Sequence, residues 1–138
     1  MAKTKYGDCI VTLPISKIGD KERILVDAGT LNGFACSISY GFAFPPASIV
    51  GINEPHVHDY DEAVFFIGSD PHNMSDLGAE VEFTIGAEGE EEKHVFDKPT
   101  AVVIPKGLPH CPVVTRRVDK PFLFMAVSLT AESYTAKK

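Results

Sequence analysis

The sequence predicts an all-β protein, and three features of its 138 residues indicate this class. Its apolar runs are short and rich in Val, Ile, Phe and Tyr, which suit a pleated sheet. Turn signals such as "GTLNG" (29 to 33) and "PKGLP" (105 to 109) separate these runs. No segment of about ten residues or more combines a 3.6-residue apolar period with caps at both ends, as a helix would.

Eight segments have the length and composition of strands. Within one of them, Ala79, Val81 and Phe83 alternate with Glu80 and Glu82, as expected for a strand with one buried face. Antiparallel strands in this number usually form a sandwich or a barrel. The predicted strands are residues 23–28, 35–44, 63–68, 79–86, 93–96, 100–105, 111–118 and 121–130.

Length, charge and cysteine content narrow the functional classes. The chain is long enough for one domain over residues 1–138, with its own apolar core. A formal charge of −6 argues against nucleic acid or an anionic membrane surface as a partner. Three irregularly spaced cysteines indicate free thiols in a reducing cytoplasm. No stretch approaches the roughly 18 to 20 apolar residues of a membrane span, and we expect a cytoplasmic protein.

The segment "EPHVHDYDE" (54 to 62) carries the first candidate ligands. On a strand, His56 and His58 point to the same side with Cα atoms about 6.6 Å apart, so both imidazoles can reach one ion. Glu62 has the same parity but would lie about 13 Å from His58 on a straight strand. A turn must therefore intervene, and Asp59 and Asp61 supply it, because Asp side chains bond to their own backbone in turns.

A further candidate ligand follows a turn much later in the chain. In "IPKGLPH" (104 to 110), Pro105 and Gly107 indicate a tight turn, and His110 begins the next strand. A preset turn holds an imidazole in one place, which a metal site requires of a ligand from another strand.

These residues resemble the two signature motifs of the cupin superfamily, HxHx(3-4)E and PxGxxH. The resemblance implies a cupin-type jelly-roll β-barrel of antiparallel strands, with its motif-bearing core at about residues 35–130. The matching residues are His56, His58, Glu62, Pro105, Gly107 and His110.

The resemblance also implies a metal site and a range of functions. His56, His58, Glu62 and His110 would bind one divalent transition metal, and ligand type alone admits Fe, Mn, Ni, Co, Cu or Zn. We expect an enzyme acting on a small oxygen-containing organic molecule, as a dioxygenase-like oxidoreductase or as an isomerase or lyase. The alternative is a non-catalytic cupin that binds or senses a small ligand. The resemblance further implies a homodimer.

The sequence supports more limited predictions for other residues near the motifs. Glu62 is a candidate base as well as a ligand, and Tyr60 is either a hydroxyl beside the ligands or an exposed loop residue. Val64 and Phe66 share the parity of Glu62, so we expect them to line the pocket. Cys111 is expected to face away from the pocket and to be a buried, inert thiol.

Three polar residues outside the motifs are predicted to lie on the surface. His72 falls in a long polar loop and His94 in a hairpin. Arg116 has the parity of His110 but would lie about 20 Å away along a strand, so we expect a surface arginine in a salt bridge.

Overall fold

The structure, a computed structural model, describes residues 4–45 and 54–132. The two ends of the predicted domain and Gly51 of the first motif region lie outside the described residues. Within them the chain forms a single 3-10 turn, Gly7–Cys9, and nine strands. The strands are β1 (Ile15–Ile18), β2 (Lys21–Val26), β3 (Ser37–Ala43), β4 (Glu62–Gly68), β5 (Ala79–Ile85), β6 (Glu92–Phe96), β7 (Thr100–Ile104), β8 (His110–Val118) and β9 (Phe122–Ser128).

The nine strands form two antiparallel sheets. The first sheet has six strands in the order β1-β2-β3-β9-β4-β7, and the second has three in the order β6-β5-β8. The all-β prediction is confirmed, and every predicted strand is present. β1 was not predicted, because its four residues are all exposed and show no apolar alternation. No helix in the described part of the chain is long and apolar enough to cross a membrane.

The six-stranded sheet packs one face against the second sheet, and we call this its inner face. Strand register aligns inner-face side chains in rows across the sheet. One row contains Glu62, with Ser128 and Ser37 on one side and Ile104 on the other. Another row, four residues further along β4, contains Phe66 beside Phe124.

An aromatic cluster fills the core between the sheets. Phe66 is 0% exposed. Its ring centroid lies 5.1 Å from that of Phe96, 5.3 Å from that of Phe124, and 6.1 Å from those of Phe83 and Phe122. Burial of such rings is a major source of stability in a domain of this size.

A bulge lies at the start of β8. Ile85 is opposite His110, while Phe83 is opposite Val113, so β8 contains one residue more than β5 over this interval. The extra residue lets both His110 and Val113 face inward, although simple alternation puts them on opposite faces. Cys111 lies in the bulge with φ of 81° and is buried in the core cluster.

Candidate metal centre

Backbone hydrogen bonds bring the two histidine-bearing segments together. The N–H of His56 donates to the carbonyl of His110, and the N–H of His110 donates to the carbonyl of His56, both at 3.1 Å. The N–H of Gly107 donates to the carbonyl of His58 at 3.0 Å. Leu108 N–H closes the predicted tight turn on Pro105 O at 3.0 Å. The two segments are therefore held in register by the main chain.

Asp61 holds the bend between His58 and Glu62, though differently from the prediction. Its Oδ1 accepts the N–H of Lys106 at 2.8 Å, and its backbone carbonyl accepts the N–H of Leu129 at 3.0 Å. Its carboxylate thus joins the bend to the turn before His110, where we had expected it to bond its own backbone. This contact helps to bring Glu62 close to the histidines.

Three imidazoles and one carboxylate converge in a buried group, which we call the His/Glu cluster (His56, His58, Glu62 and His110). One ring nitrogen from each histidine lies within 4.8 Å of the others. Glu62 Oε2 is 3.7 Å from His58 Nε2, and Glu62 Oε1 is 3.7 Å from His110 Nε2. All four residues are at most 5% exposed. Burying four titratable groups together is costly unless something binds them.

Hydrogen bonds to backbone carbonyls set the tautomers of two imidazoles. His56 Nδ1 lies 2.6 Å from Glu54 O, and His110 Nδ1 lies 2.9 Å from Leu108 O. Because a carbonyl only accepts, each Nδ1 must carry the proton, and each Nε2 keeps its lone pair. His110 Nε2 is buried and has no hydrogen-bond partner. A lone pair fixed in this way is typical of a metal-ligating histidine.

The spacing of the cluster fits a metal ion. With ligands about 2.0–2.2 Å from a metal, neighbouring donor atoms lie about 3.0–3.4 Å apart. The carboxylate–imidazole separations of 3.7 Å exceed that range by a few tenths of an ångström, and the ring nitrogens lie up to 4.8 Å apart, so side-chain rotation would have to bring the donors closer. Imidazole and carboxylate donors together suit a divalent transition metal. The residues present therefore fit such an ion.

Burial shifts the pKa values of two cluster members. Desolvation lowers the pKa of His110 to about 4, with a smaller lowering from His56 and His58, while the hydrogen bond to Leu108 opposes the shift. His110 is therefore neutral at pH 7, as a ligand must be. Desolvation also raises the pKa of Glu62, against the hydrogen bond from Ser128 and the charge of His56. A bound cation would favour the charged carboxylate.

Ser128 is a neighbour of the cluster that the sequence analysis did not find. Its Oγ donates to Glu62 Oε2 at 3.0 Å, and both side chains are buried. The two residues are directly opposite each other on β9 and β4. Sixty-six positions separate them in the chain, so no local pattern links them.

The remaining predicted residues take distinct places. Tyr60 is buried with its ring stacked on His58, at 4.8 Å between centroids and 17° between planes. Val64 and Phe66 lie in the packed core beyond Glu62, and their role as pocket lining stays a prediction. Cys111 is buried and unbridged, and burial raises the pKa of its thiol to about 12.

The surface assignments agree with the structure. His72 and His94 are exposed, and His94 Nε2 lies 2.9 Å from Glu92 Oε1. Arg116 Nη2 lies 3.0 Å from Glu82 Oε1. The bulge between His110 and Val113 accounts for this outward position, since it shifts the parity that relates Arg116 to His110.

Comparison with known proteins identifies the architecture. No protein-family model matches the chain, and no curated protein matches its sequence. A deletion mutant of Bacillus subtilis oxalate decarboxylase is similar in structure, with a TM-score of 0.61 and 15% identity over 91% of this chain and 30% of that one. The Lactobacillus farciminis oxalate decarboxylase formate complex has a TM-score of 0.60 and 14% identity, over 88% and 32% respectively.

These solved structures are cupins, and the likeness concerns the fold. The chain spans about a third of the length of the oxalate decarboxylases that it matches.

Proposed function

We propose that this chain, which has the cupin jelly-roll fold, binds one divalent transition metal ion through His56, His58, Glu62 and His110 and acts as an enzyme. Its substrate would be a small oxygen-containing organic molecule. The reaction class is a dioxygenase-like oxidation or an isomerase or lyase reaction. The oxalate decarboxylases that share the fold make a decarboxylation of a small carboxylate one reaction to test.

The observation that carries the proposal is the fixed orientation of the imidazoles around Glu62. Hydrogen bonds from Nδ1–H to the carbonyls of Glu54 and Leu108 make Nε2 the nitrogen of His56 and of His110 that carries the lone pair for coordination. Such preorganisation limits the movement needed when the ion binds to small rotations of the side chains.

The chain's own residues suggest a division of roles at the site. A bound ion would supply a Lewis acid that polarises a substrate oxygen and, if redox-active, a route for electron transfer. Ser128 Oγ–H holds Glu62 Oε2, so Oε1 is the oxygen better placed to accept a proton from substrate. Desolvation raises the pKa of Glu62 in the metal-free protein, whereas a bound cation would favour the charged carboxylate, which is the form that can accept a proton. Tyr60 packs on His58 and restricts the rotation of its ring.

Metal content tests the first part of the proposal. The protein is purified without metal, incubated with each candidate ion, and analysed by elemental mass spectrometry. We expect one ion per chain, lost in His58→Ala and in His110→Ala. His94→Ala is the matched control, because His94 is an exposed histidine outside the cluster. Wild-type protein without stoichiometric metal, or with metal that survives His110→Ala, would contradict the proposal.

Turnover tests the second part. Oxygen uptake is followed with diketones, hydroxy acids and catechols, and carbon dioxide release with oxalate and other small carboxylates, for each metal-loaded form. We expect turnover that disappears in His58→Ala and persists in His94→Ala. Tight ligand binding without turnover would instead support the non-catalytic alternative. That alternative is favoured by one observation, the low exposure of the cluster, because a catalytic site needs access for substrate.

We also propose a homodimer formed through the outer face of the six-stranded sheet. One row of this face places Ile24, Tyr40, Met125, Phe65 and Ala101 side by side, with no charged residue among them. The outer face of the second sheet, by contrast, carries the Glu82–Arg116 ion pair. A contiguous apolar face of this kind is typical of an interface.

Sedimentation velocity tests the dimer. We expect a concentration-dependent dimer that dissociates in Phe65→Lys. The control is Val114→Lys, which adds the same charge to the second sheet, where Val114 is exposed. A monomeric wild type at micromolar concentration would contradict this proposal.

The three unbridged cysteines support our proposal of a reducing, cytoplasmic location.

A further inference from the structure

A second feature of the inner face is unrelated to the His/Glu cluster. Arg23 on β2 lies directly opposite Gly41 on β3, and Gly41 lies opposite Phe124 on β9. Arg23 therefore extends over the same inner face as the aromatic core. Its side chain is half-buried at a shallow, partly open pocket. We call this the Arg23 pocket, and its inner-facing lining includes Arg23, Ser39, Gly41, Ala43 and Phe124.

Arg23 has no ion-pair partner among the residues that the structure describes. Within residues 4–45 and 54–132, its side chain forms no hydrogen bond or ion pair, and its Nε is fully shielded from solvent without a partner. By contrast, Arg116 and Arg117 each pair with a carboxylate. Shielding part of a guanidinium without a partner is unfavourable, and such a group gains most from an added anion.

The residues that line the Arg23 pocket indicate which kind of anion it would bind. Phe124 and Ala43 provide apolar surface, and Ser39 is the small hydroxyl residue among the inner-facing lining. Gly41 lets β2 and β3 approach closely beside Arg23, since a Cβ at Gly41 would lie 3.3 Å from Glu22 O and 3.6 Å from Arg23 Cβ. A planar monoanion matches one guanidinium in a fork geometry. A phosphate dianion needs more donors than this lining offers.

We propose that the Arg23 pocket, a shallow depression of about 20 Å³, binds the carboxylate of a small organic acid on the Arg23 guanidinium, while the carbon skeleton lies outside the depression over Phe124. The pocket is separate from the His/Glu cluster. The row of Arg23 lies four residues from that of Glu62, about 13 Å along the strands, and β2 is three strand spacings, about 14 Å, from β4. The proposal therefore stands whether or not the chain binds a metal.

Benzoate is the probe, and binding to the full chain is followed by titration calorimetry and by amide chemical shifts. We expect saturable binding, with shifts concentrated at Arg23, Gly41 and Phe124. Arg23→Gln should weaken it about 10- to 100-fold, the usual effect of losing a hydrogen bond to a charged group. The matched control, Arg117→Gln, removes an exposed, paired arginine and should change the affinity less than about twofold.

A second variant keeps the proposal testable if Arg23→Gln folds poorly. Ser39→Leu keeps the charge but fills the pocket, so it should also weaken benzoate binding. Benzyl alcohol, which lacks the anion, should bind far more weakly than benzoate, and inorganic phosphate should not compete. Equal loss in Arg117→Gln, no saturable binding by the wild type, or shifts centred on His110 and Glu62 would each overturn the proposal. Metal content should be the same in Arg23→Gln and in wild type.

Discussion

The two ends of the inner face of the six-stranded sheet bury opposite kinds of side chain. At one end, the row of Glu62, Ser128 and Ser37 is polar and adjoins three histidines. At the other end, Phe66 and Phe124 lie side by side in the aromatic cluster, and their row continues through Gly41 to half-buried Arg23. The backbone is the same regular ladder at both ends, so the difference lies in the side chains alone. Burial of the rings at the aromatic end stabilises the fold, and this stabilisation offsets the cost of burying titratable groups at the polar end.

The largest effect is expected at the aromatic end. Phe66→Ala should lower the free energy of unfolding by about 3–5 kcal/mol, because it leaves a cavity among four other rings. Urea unfolding of the metal-free protein at pH 7 measures this loss. Phe34→Ala, at an exposed phenylalanine, should change stability by less than about 0.5 kcal/mol. Similar losses in the two variants would show that the aromatic end is not the main source of stability.

The pH dependence of the free energy of unfolding tests the cost of burying His110 at the polar end. The pKa of His110 is lowered from 6.5 to about 4, so the unfolded chain binds more protons between these values. The stability of the fold with His110 buried in its neutral form is fully present above about pH 6.5 and is lost as pH falls towards 4. Between pH 7 and 4.5, metal-free wild type should lose on the order of 2–3 kcal/mol more than His110→Gln. Parallel losses in the two proteins would contradict the assigned shift.

The Ser128–Glu62 contact gives a smaller effect. Ser128→Ala removes the hydrogen bond to Glu62 Oε2, and we expect metal affinity to fall about tenfold with little change in stability. Competition with a metal chelator measures this directly. Ser37→Ala is the matched control, because Ser37 is also buried and is opposite Ser128 on β3. Equal losses in the two serine variants would indicate general loosening of the row rather than positioning of Glu62.

Thiol labelling tests the smallest expected effect. It measures how accessible Cys111 is at the boundary between the polar and the aromatic end of the inner face. Cys111 belongs to the apolar cluster yet follows His110 directly, and the pKa of its thiol is raised to about 12. In the native protein at pH 8 we expect one rapidly labelled thiol, that of exposed Cys9, with Cys36 and Cys111 protected. Rapid labelling of a second thiol would mean that the region behind His110 opens readily.

Much of this fold was predictable from the sequence, because strand signals and the histidine motifs are local. Eight strands and the turn at Pro105 were predicted in this way. Strand β1 was not predicted because it is short and wholly exposed, and a strand without a buried face shows no apolar alternation in its sequence.

Long-range features of the site were not predictable. The contacts of Asp61 with Lys106 and of Ser128 with Glu62 join residues 45 and 66 positions apart. The bulge that turns both His110 and Val113 inward depends on pairing with β5, and simple parity missed it.

The reciprocal hydrogen bonds between His56 and His110 have a consequence for the order of events during synthesis. A nascent chain that ends before residue 110 already has two of the three cluster imidazoles, those of His56 and His58, but lacks the backbone partner that aligns them. Closing so long a loop is entropically costly and needs the intervening hairpins to be formed first. Assembly of the ligand set is thus delayed until His110 and the turn before it have left the ribosome, which limits premature capture of ions by shorter nascent chains.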